Sequence, residues 1–178
     1  MLVGLFSIRM VISMETLNPG TVAPAFELVG TDGESYTSLK RPGEALLLAV
    51  FFKVSCPTSQ YTLPFIQRIF QNYSAHEKLQ IYGISQDNRD DTQAFAQEFG
   101  LSFPLLLDTS DYAVSSQYRL THVPSSFLID GMGRLRFSSV GFWKADWLRV
   151  TVEISQFLGV PEKSIFRVDE DIPDHRYG

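Results

Sequence analysis

Cys56 is the single cysteine among 178 residues, so no disulfide can close within the chain and any sulfur chemistry must run through one thiol. It stands in Phe51-Phe52-Lys53-Val54-Ser55-Cys56-Pro57-Thr58-Ser59, after an apolar run and just ahead of a helical pattern. At a helix N-terminus the unpaired backbone N–H groups and the positive end of the helix dipole favour thiolate over thiol. Pro57 at the first helical position gives up no hydrogen bond, Ser59 offers a hydroxyl to the sulfur, and Lys53 adds positive charge nearby. A lone cysteine is more often a small buried hydrophobe. Its place outside the carboxyl end of a strand, where reacting groups gather in α/β sheets, turns the reading toward chemistry.

The other chemical candidates are weaker. His122, two residues before Pro124, is a candidate base or counter-ion for Cys56, against the commoner role of an exposed loop histidine. His76 lies near a helix end, where it suits the dipole. Asp87, Asp90 and Asp91 precede a helical run and read as capping residues rather than an acid–base cluster. Asp169, Glu170, Asp171, Asp174 and His175 read as a solvated charged tail rather than a cation site. The three histidines and the single cysteine are too scattered for a zinc site of the usual spacing. Asn72-Tyr73-Ser74 fits the glycosylation pattern but falls inside a helical stretch, and Gly131-Met132-Gly133 runs on into a strand pattern, so it is no phosphate loop.

The elements that must position Cys56 follow from periodicity. Residues 45–54, ALLLAVFFKV, are apolar without alternation, as in a central strand covered on both faces. From Ser59 to Tyr73, Leu63, Ile66, Ile69, Phe70 and Tyr73 recur at helical spacing, with Pro64 expected to kink the helix. Upstream, 25–29 and 35–37 flank the turn Thr31-Asp32-Gly33 as a hairpin, and residues 40–43 read as a loop. Downstream come a strand at 79–84, a helix ended by Gly100, a strand at 103–107, a short helix at 111–118, a hairpin of 126–129 with 135–140, and a helix over 144–158 ended by Gly159. This order predicts an α/β fold with mixed strand directions and helices on both faces.

Length predicts one domain, taken as 14–160, with residues 1–13 as an N-terminal extension and 161–178 as a polar tail. The stretch 2–13 carries Arg9 and lacks a cleavage motif, so it does not read as a signal peptide, and it is too short to span a bilayer, which takes about 20 residues. Met14 is the candidate natural start, and a cytoplasmic location is expected. Fifteen basic against twenty acidic residues give a net charge of −5, which speaks against nucleic acid as a partner.

Four segments, in order, resemble the thioredoxin-like superfamily, within it the redoxin branch of TlpA-type disulfide reductases and AhpC/TSA-type proteins. Gly20-Thr21-Val22-Ala23-Pro24-Ala25-Phe26-Glu27-Leu28 is similar to the N-terminal G-x-x-A-P-x-F-x-L motif. The Phe-Phe-x-x-x-Cys-Pro-x-Ser stretch resembles the family's strand and C-P-x-C, and Pro64 matches its helix proline. Val123-Pro124-Ser125-Ser126-Phe127-Leu128-Ile129-Asp130-Gly131 resembles V-P-x-x-F-L-I-D-x-x-G, in which the proline is cis. The resemblance implies a thioredoxin-like fold, with Cys56 and Ser59 at the catalytic positions and Val123 and Pro124 forming the substrate-binding turn. Lys53, Pro57, Thr58 and Pro64 stand in support, and no cofactor or metal is implied. A cis bond at Pro124 would turn the Val123 backbone toward Cys56 and leave it free to pair with an extended substrate.

The departures narrow the function. Ser59 replaces the second cysteine, so no thiol within the motif can resolve a mixed disulfide on Cys56. Val50 stands where thioredoxins carry a buried acid, a loss consistent with the first, and Ala49 and Lys53 replace the peroxiredoxin proline and threonine. The leading expectation is a monothiol thiol-disulfide oxidoreductase whose partner is a disulfide-containing protein or a low-molecular-weight thiol. The alternatives are a one-cysteine hydroperoxide reductase and a non-catalytic binding module that keeps the groove.

Overall fold

The computed structural model describes residues 16–38 and 45–178. The N-terminal extension 1–13, the candidate start Met14 and the loop at 40–43 lie outside the described residues. The elements run β1 (Glu27–Val29), β2 (Ser35–Thr37), β3 (Leu46–Phe52), α1 (Pro57–Tyr73), β4 (Leu79–Ser85), α2 (Arg89–Phe99), β5 (Leu105–Leu107), α3 (Ala113–Gln117), β6 (Ser125–Asp130), β7 (Leu135–Val140), β8 (Phe142–Trp143), α4 (Lys144–Leu158) and β9 (His175–Arg176).

Five strands form the central sheet in the order β5-β4-β3-β6-β7. β3 pairs parallel with β4, from Leu46↔Leu79 to Phe52↔Ser85, and antiparallel with β6, from Leu46↔Asp130 to Phe51↔Ser125. The fold is therefore α/β with mixed strand directions, as the element order predicts, and the unbroken apolar run is its centre: all seven residues of β3 are buried. Alternate side chains of β3 enter different cores. Leu48, Val50 and Phe52 pack with Leu63 and Ile66 of α1, Phe95 of α2, and Trp147 and Ile154 of α4. Leu47, Ala49 and Phe51 pack on the other side with Phe26, Val114, Tyr118 and Phe127. The N-terminal motif is held there too, where the Tyr118 hydroxyl donates to the Pro24 carbonyl at 2.9 Å.

Local chemistry explains most boundaries. Asn88 caps α2 by accepting from the Asp91 N–H, and Gly100 ends it in the left-handed region at φ 63°. α1 starts at Pro57, two residues before the apolar periodicity begins, because Cys56 itself caps it, and the helix runs on past Pro64 to Tyr73. β5 is shorter than expected, starting at Leu105. Pro104 has no N–H for a ladder, although its carbonyl accepts from the Gly83 N–H at 3.0 Å.

The segment 161–178, expected as a polar tail, packs instead. Ile165 is 1% exposed, Phe166 meets the rings of Phe65 and Phe142, and β9 pairs antiparallel with β8. Three apolar residues spaced among charges, Ile165, Phe166 and Ile172, suffice to seat it on the α1–α4 side of the core. Of the acidic group expected to be solvated, Asp169, Asp171 and Asp174 are exposed, while Glu170 pairs with Arg68.

Candidate active site

β3 delivers the chain to the carboxyl end of the central strand, and the short connection to α1 is held at both faces of Val54. The Val54 N–H donates to Asp87 Oδ2 at 2.7 Å, and its carbonyl accepts from Gln60 Nε2 at 2.8 Å. The Cys56 N–H donates to the Lys53 carbonyl at 3.2 Å, which closes the turn. Cys56 then sits at the N-cap of α1 with extended backbone, φ −83° and ψ 117°. Its sulfur accepts from the Ser59 N–H at 3.4 Å and donates to the Val123 carbonyl at 3.3 Å. The thiol is half-buried.

Val123, which meets the sulfur, precedes Pro124 in a cis peptide, as the resemblance implies. The turn is braced on both sides. The Ser125 hydroxyl donates to the His122 carbonyl at 2.7 Å, and the Gly141 N–H donates to the Pro124 carbonyl at 2.7 Å. Pro124 is buried while Val123 is half-exposed, and this platform stands beside the thiol.

Other expected residues take different roles. Ser59 is close to the sulfur, but through its backbone N–H: its hydroxyl is fully buried and has no hydrogen-bond partner among the described residues. The expected O–H···S contact is replaced by an amide contact, because the first turn of α1 aims the N–H groups at the cap and leaves the side chain against the core. The Lys53 ammonium stands over the Tyr112 ring, 5.6 Å from its centroid. With Gln86, Leu120, Thr121, His122 and Val123, Lys53 lines an open cleft of about 270 Å³ beside the platform. No hydrogen bond joins the His122 side chain, which is exposed, to the thiol among the described residues. Pro57 is the exposed first residue of α1 and Pro64 lies within it. Thr58 is buried, and its hydroxyl donates to the Tyr177 carbonyl at 2.5 Å.

Two contributors were not visible as such in the sequence. Asp87 reads as a helix cap, yet Asn88 does the capping and Asp87 pins the loop before Cys56. The C-terminal segment reaches the site through Tyr177, which no local pattern announces. On α1, burial pushes the Tyr61 phenol up, the Arg176 guanidinium 3.8 Å above its ring opposing. Among the described residues no three His, Cys, Asp or Glu side chains cluster as metal ligands, and no helix is long and apolar enough to cross a membrane.

The arrangement suits nucleophilic sulfur chemistry. The Ser59 amide N–H meets the sulfur at the start of a 17-residue helix, and the Val123 backbone lies alongside.

Residues 19–138 match the AhpC/TSA family model. The chain is 25% identical over 118 residues to the thiol-disulfide oxidoreductase ResA of Geobacillus thermodenitrificans, a match covering 66% of each protein and so just under two thirds of that relative's length. It is 23% identical over 129 residues to the thioredoxin-like protein YneN of Bacillus subtilis, covering 70% of this chain and 73% of that one. Among solved structures it is similar to the thioredoxin domain of a thiol-disulfide oxidoreductase from Bacteroides vulgatus, with TM-score 0.65 and 23% identity over 78% of this chain and 98% of that one, a likeness of fold.

Proposed function

The chain belongs to the AhpC/TSA family, and from that premise we propose that it is a thiol-disulfide oxidoreductase working through Cys56 alone. The observation that carries the reading is the position of the sulfur, capped by the Ser59 N–H and in contact with the Val123 carbonyl at the cis turn. The Cys56 thiolate attacks one sulfur of a disulfide, the S–S bond breaks, and the departing thiolate takes up a proton. A mixed disulfide on Cys56 remains, and an external thiol then attacks it, restoring the Cys56 thiolate and carrying the bound group away as a new disulfide. Ionisation removes the S–H···O contact and leaves the Ser59 N–H on the sulfur. The Val123 carbonyl is thereby freed to accept an N–H from an extended substrate segment. The substrates this favours are a disulfide-containing protein or a low-molecular-weight thiol in its disulfide form.

The hydroperoxide reading finds less support. Lys53, which stands where the threonine hydroxyl would be, turns to Tyr112, and Ala49, which stands in place of the proline, is buried in β3 on the face away from α1, so no hydroxyl is supplied beside a peroxide. The test is capture of adducts from a lysate of the protein's own cells by the wild-type chain, with mass spectrometry of the Cys56 peptide. Reducible mixed disulfides are expected, and none with Cys56→Ala. Capture undiminished in that variant would point to a non-covalent binding module, and oxidation by hydrogen peroxide much faster than that of free cysteine would point to a peroxidase.

A further inference from the structure

Residues 174–178 run across the platform beside the thiol. The Lys144 N–H donates to the Asp174 carbonyl at 2.9 Å, and β9 then pairs with β8 as Trp143↔His175 and Phe142↔Arg176. The His175 ring stacks on Trp143 at 4.9 Å and 21°, while the Arg176 guanidinium lies 3.8 Å over the Tyr61 ring. The Tyr177 carbonyl accepts from Thr58, two residues after the sulfur. At Gly178 the backbone closes on the cis turn: a Cβ there would stand 2.6 Å from the Val123 carbonyl oxygen and 3.3 Å from His122 Cβ. Gly141 is similarly tight, since a Cβ on it would meet the Arg176 carbonyl at 2.6 Å. Gly178 therefore lies against the carbonyl to which the Cys56 thiol donates, on the edge where an extended substrate would add.

We infer that residues 174–178 form an internal strap that fills the peptide side of the platform and selects partners by size. Small disulfides and thiols reach the part of the half-buried Cys56 that the strap leaves exposed, whereas a bulky protein partner reaches it only when the strap lifts. The strap is built to lift: its ladder is two residues long and His175, Arg176 and Tyr177 are all exposed, the marks of a segment of low local stability. Its meaning for turnover rests on the oxidoreductase reading, but occlusion of the sulfur does not.

The experiment compares alkylation rates of Cys56 by N-ethylmaleimide and by a polyethylene-glycol maleimide of several kilodaltons. It uses the wild-type chain, the full-length His175→Ala/Arg176→Ala variant and a chain ending at Pro173. Losing a stacked ring pair and a cation over a ring raises the open fraction about tenfold, so the bulky-to-small rate ratio rises about tenfold in the double variant and at least as much in the chain ending at Pro173. A ratio unchanged in variants that still melt cooperatively overturns the strap, and an equal rise in both rates overturns its selection by size. A raised ratio in a protein that exchanges no disulfide leaves the strap standing and overturns the oxidoreductase reading alone.

Discussion

Arg68 and Glu170, 102 residues apart, are joined by two parallel N–H···O bonds, Nη1 to Oε2 at 2.7 Å and Nη2 to Oε1 at 2.5 Å. The same guanidinium donates to the Ile165 carbonyl, and the same carboxylate accepts from the Arg167 N–H at 2.9 Å. α1, which carries Cys56 at its start, is thus clamped to the segment that leads into the strap.

The clamp predicts an acid-dependent loss of stability. The Arg68 guanidinium first, and the Arg167 N–H second, pull the Glu170 carboxyl down to about 2 from the usual 4.5. A depressed carboxyl contributes stability that is complete above its unfolded value and is lost as pH falls through the folded one. The pair is about a quarter exposed, so solvent screening keeps its worth near about 1 kcal/mol. Glu170→Gln should therefore be less stable than the parent by about 1 kcal/mol at neutral pH in urea titrations. The gap should narrow between pH 4.5 and about 2. A gap independent of pH would show that the substitution acts through packing.

Asp87 predicts a local effect on the loop before the thiol. Without its carboxylate the Val54 N–H has no acceptor, a cost of about 1–3 kcal/mol for a buried donor and less here, where the contact is part-buried. Asp87→Ala should raise the hydrogen-exchange rate of the Val54 amide about tenfold or more, while Asp87→Asn, which keeps an oxygen in place, should largely restore protection. Equal exchange in both variants and the parent would mean that the loop is held by its other contacts, those of Gln60 with Val54 and of Cys56 with Lys53.

How far these features could be read in advance follows the range of the interactions. β3 was legible because seven consecutive buried residues leave an apolar run, and α2 because Asn88 and Gly100 act within a turn of their own helix. Cys56 at the head of α1 follows from Pro57 and the onset of helical spacing. The cis turn was visible only through the family's motif, since nothing local in Val123-Pro124 distinguishes it. Asp87 acts on Val54 across 33 positions, and the tail is seated by Phe65 and Phe142 acting on Phe166. Such contacts depend on tertiary proximity, which a charge count over 161–178 does not contain. The orientation of the Ser59 hydroxyl is hidden for a similar reason: residue type supplies a donor, but the helix decides which way it points.

Gly83 predicts a packing limit beside the site-bearing strand. It sits in β4 opposite Val50 of β3, and a Cβ there would stand 2.6 Å from Leu105 Cδ2, 3.0 Å from Phe103 Cε2 and 3.2 Å from Phe52 Cε1. All three are side-chain atoms of the α1-side core, so the strain is of the overpacking kind and costs about 1–3 kcal/mol. Thermal melts of Gly83→Ala should show a midpoint lowered by about 2–4 °C per kcal/mol, with the fold kept. An unchanged midpoint would show that Leu105 and Phe103 can turn aside freely.

Ser59 predicts a gain of chemistry. Its hydroxyl is fully buried with no partner, so exchanging it for a thiol breaks no hydrogen bond, and its backbone N–H already lies 3.4 Å from the Cys56 sulfur. Ser59→Cys should therefore close a disulfide with Cys56 on mild oxidation. Titration would find free thiols falling from two to none, and the intact mass would fall by two hydrogens. In the reduced variant the new thiol attacks any mixed disulfide on Cys56 from within, so the lifetime of captured adducts should shorten at least about tenfold. Val50, buried in β3, offers no carboxylate to take the proton. Release should then accelerate as pH rises toward the ordinary thiol range near about 8.5, where hydroxide or buffer can remove it. Two free thiols persisting after oxidation, with adducts as long-lived as in the parent, would show that residue 59 does not face the sulfur closely enough for exchange and would remove the reading that serine at this position is what confines the protein to one thiol.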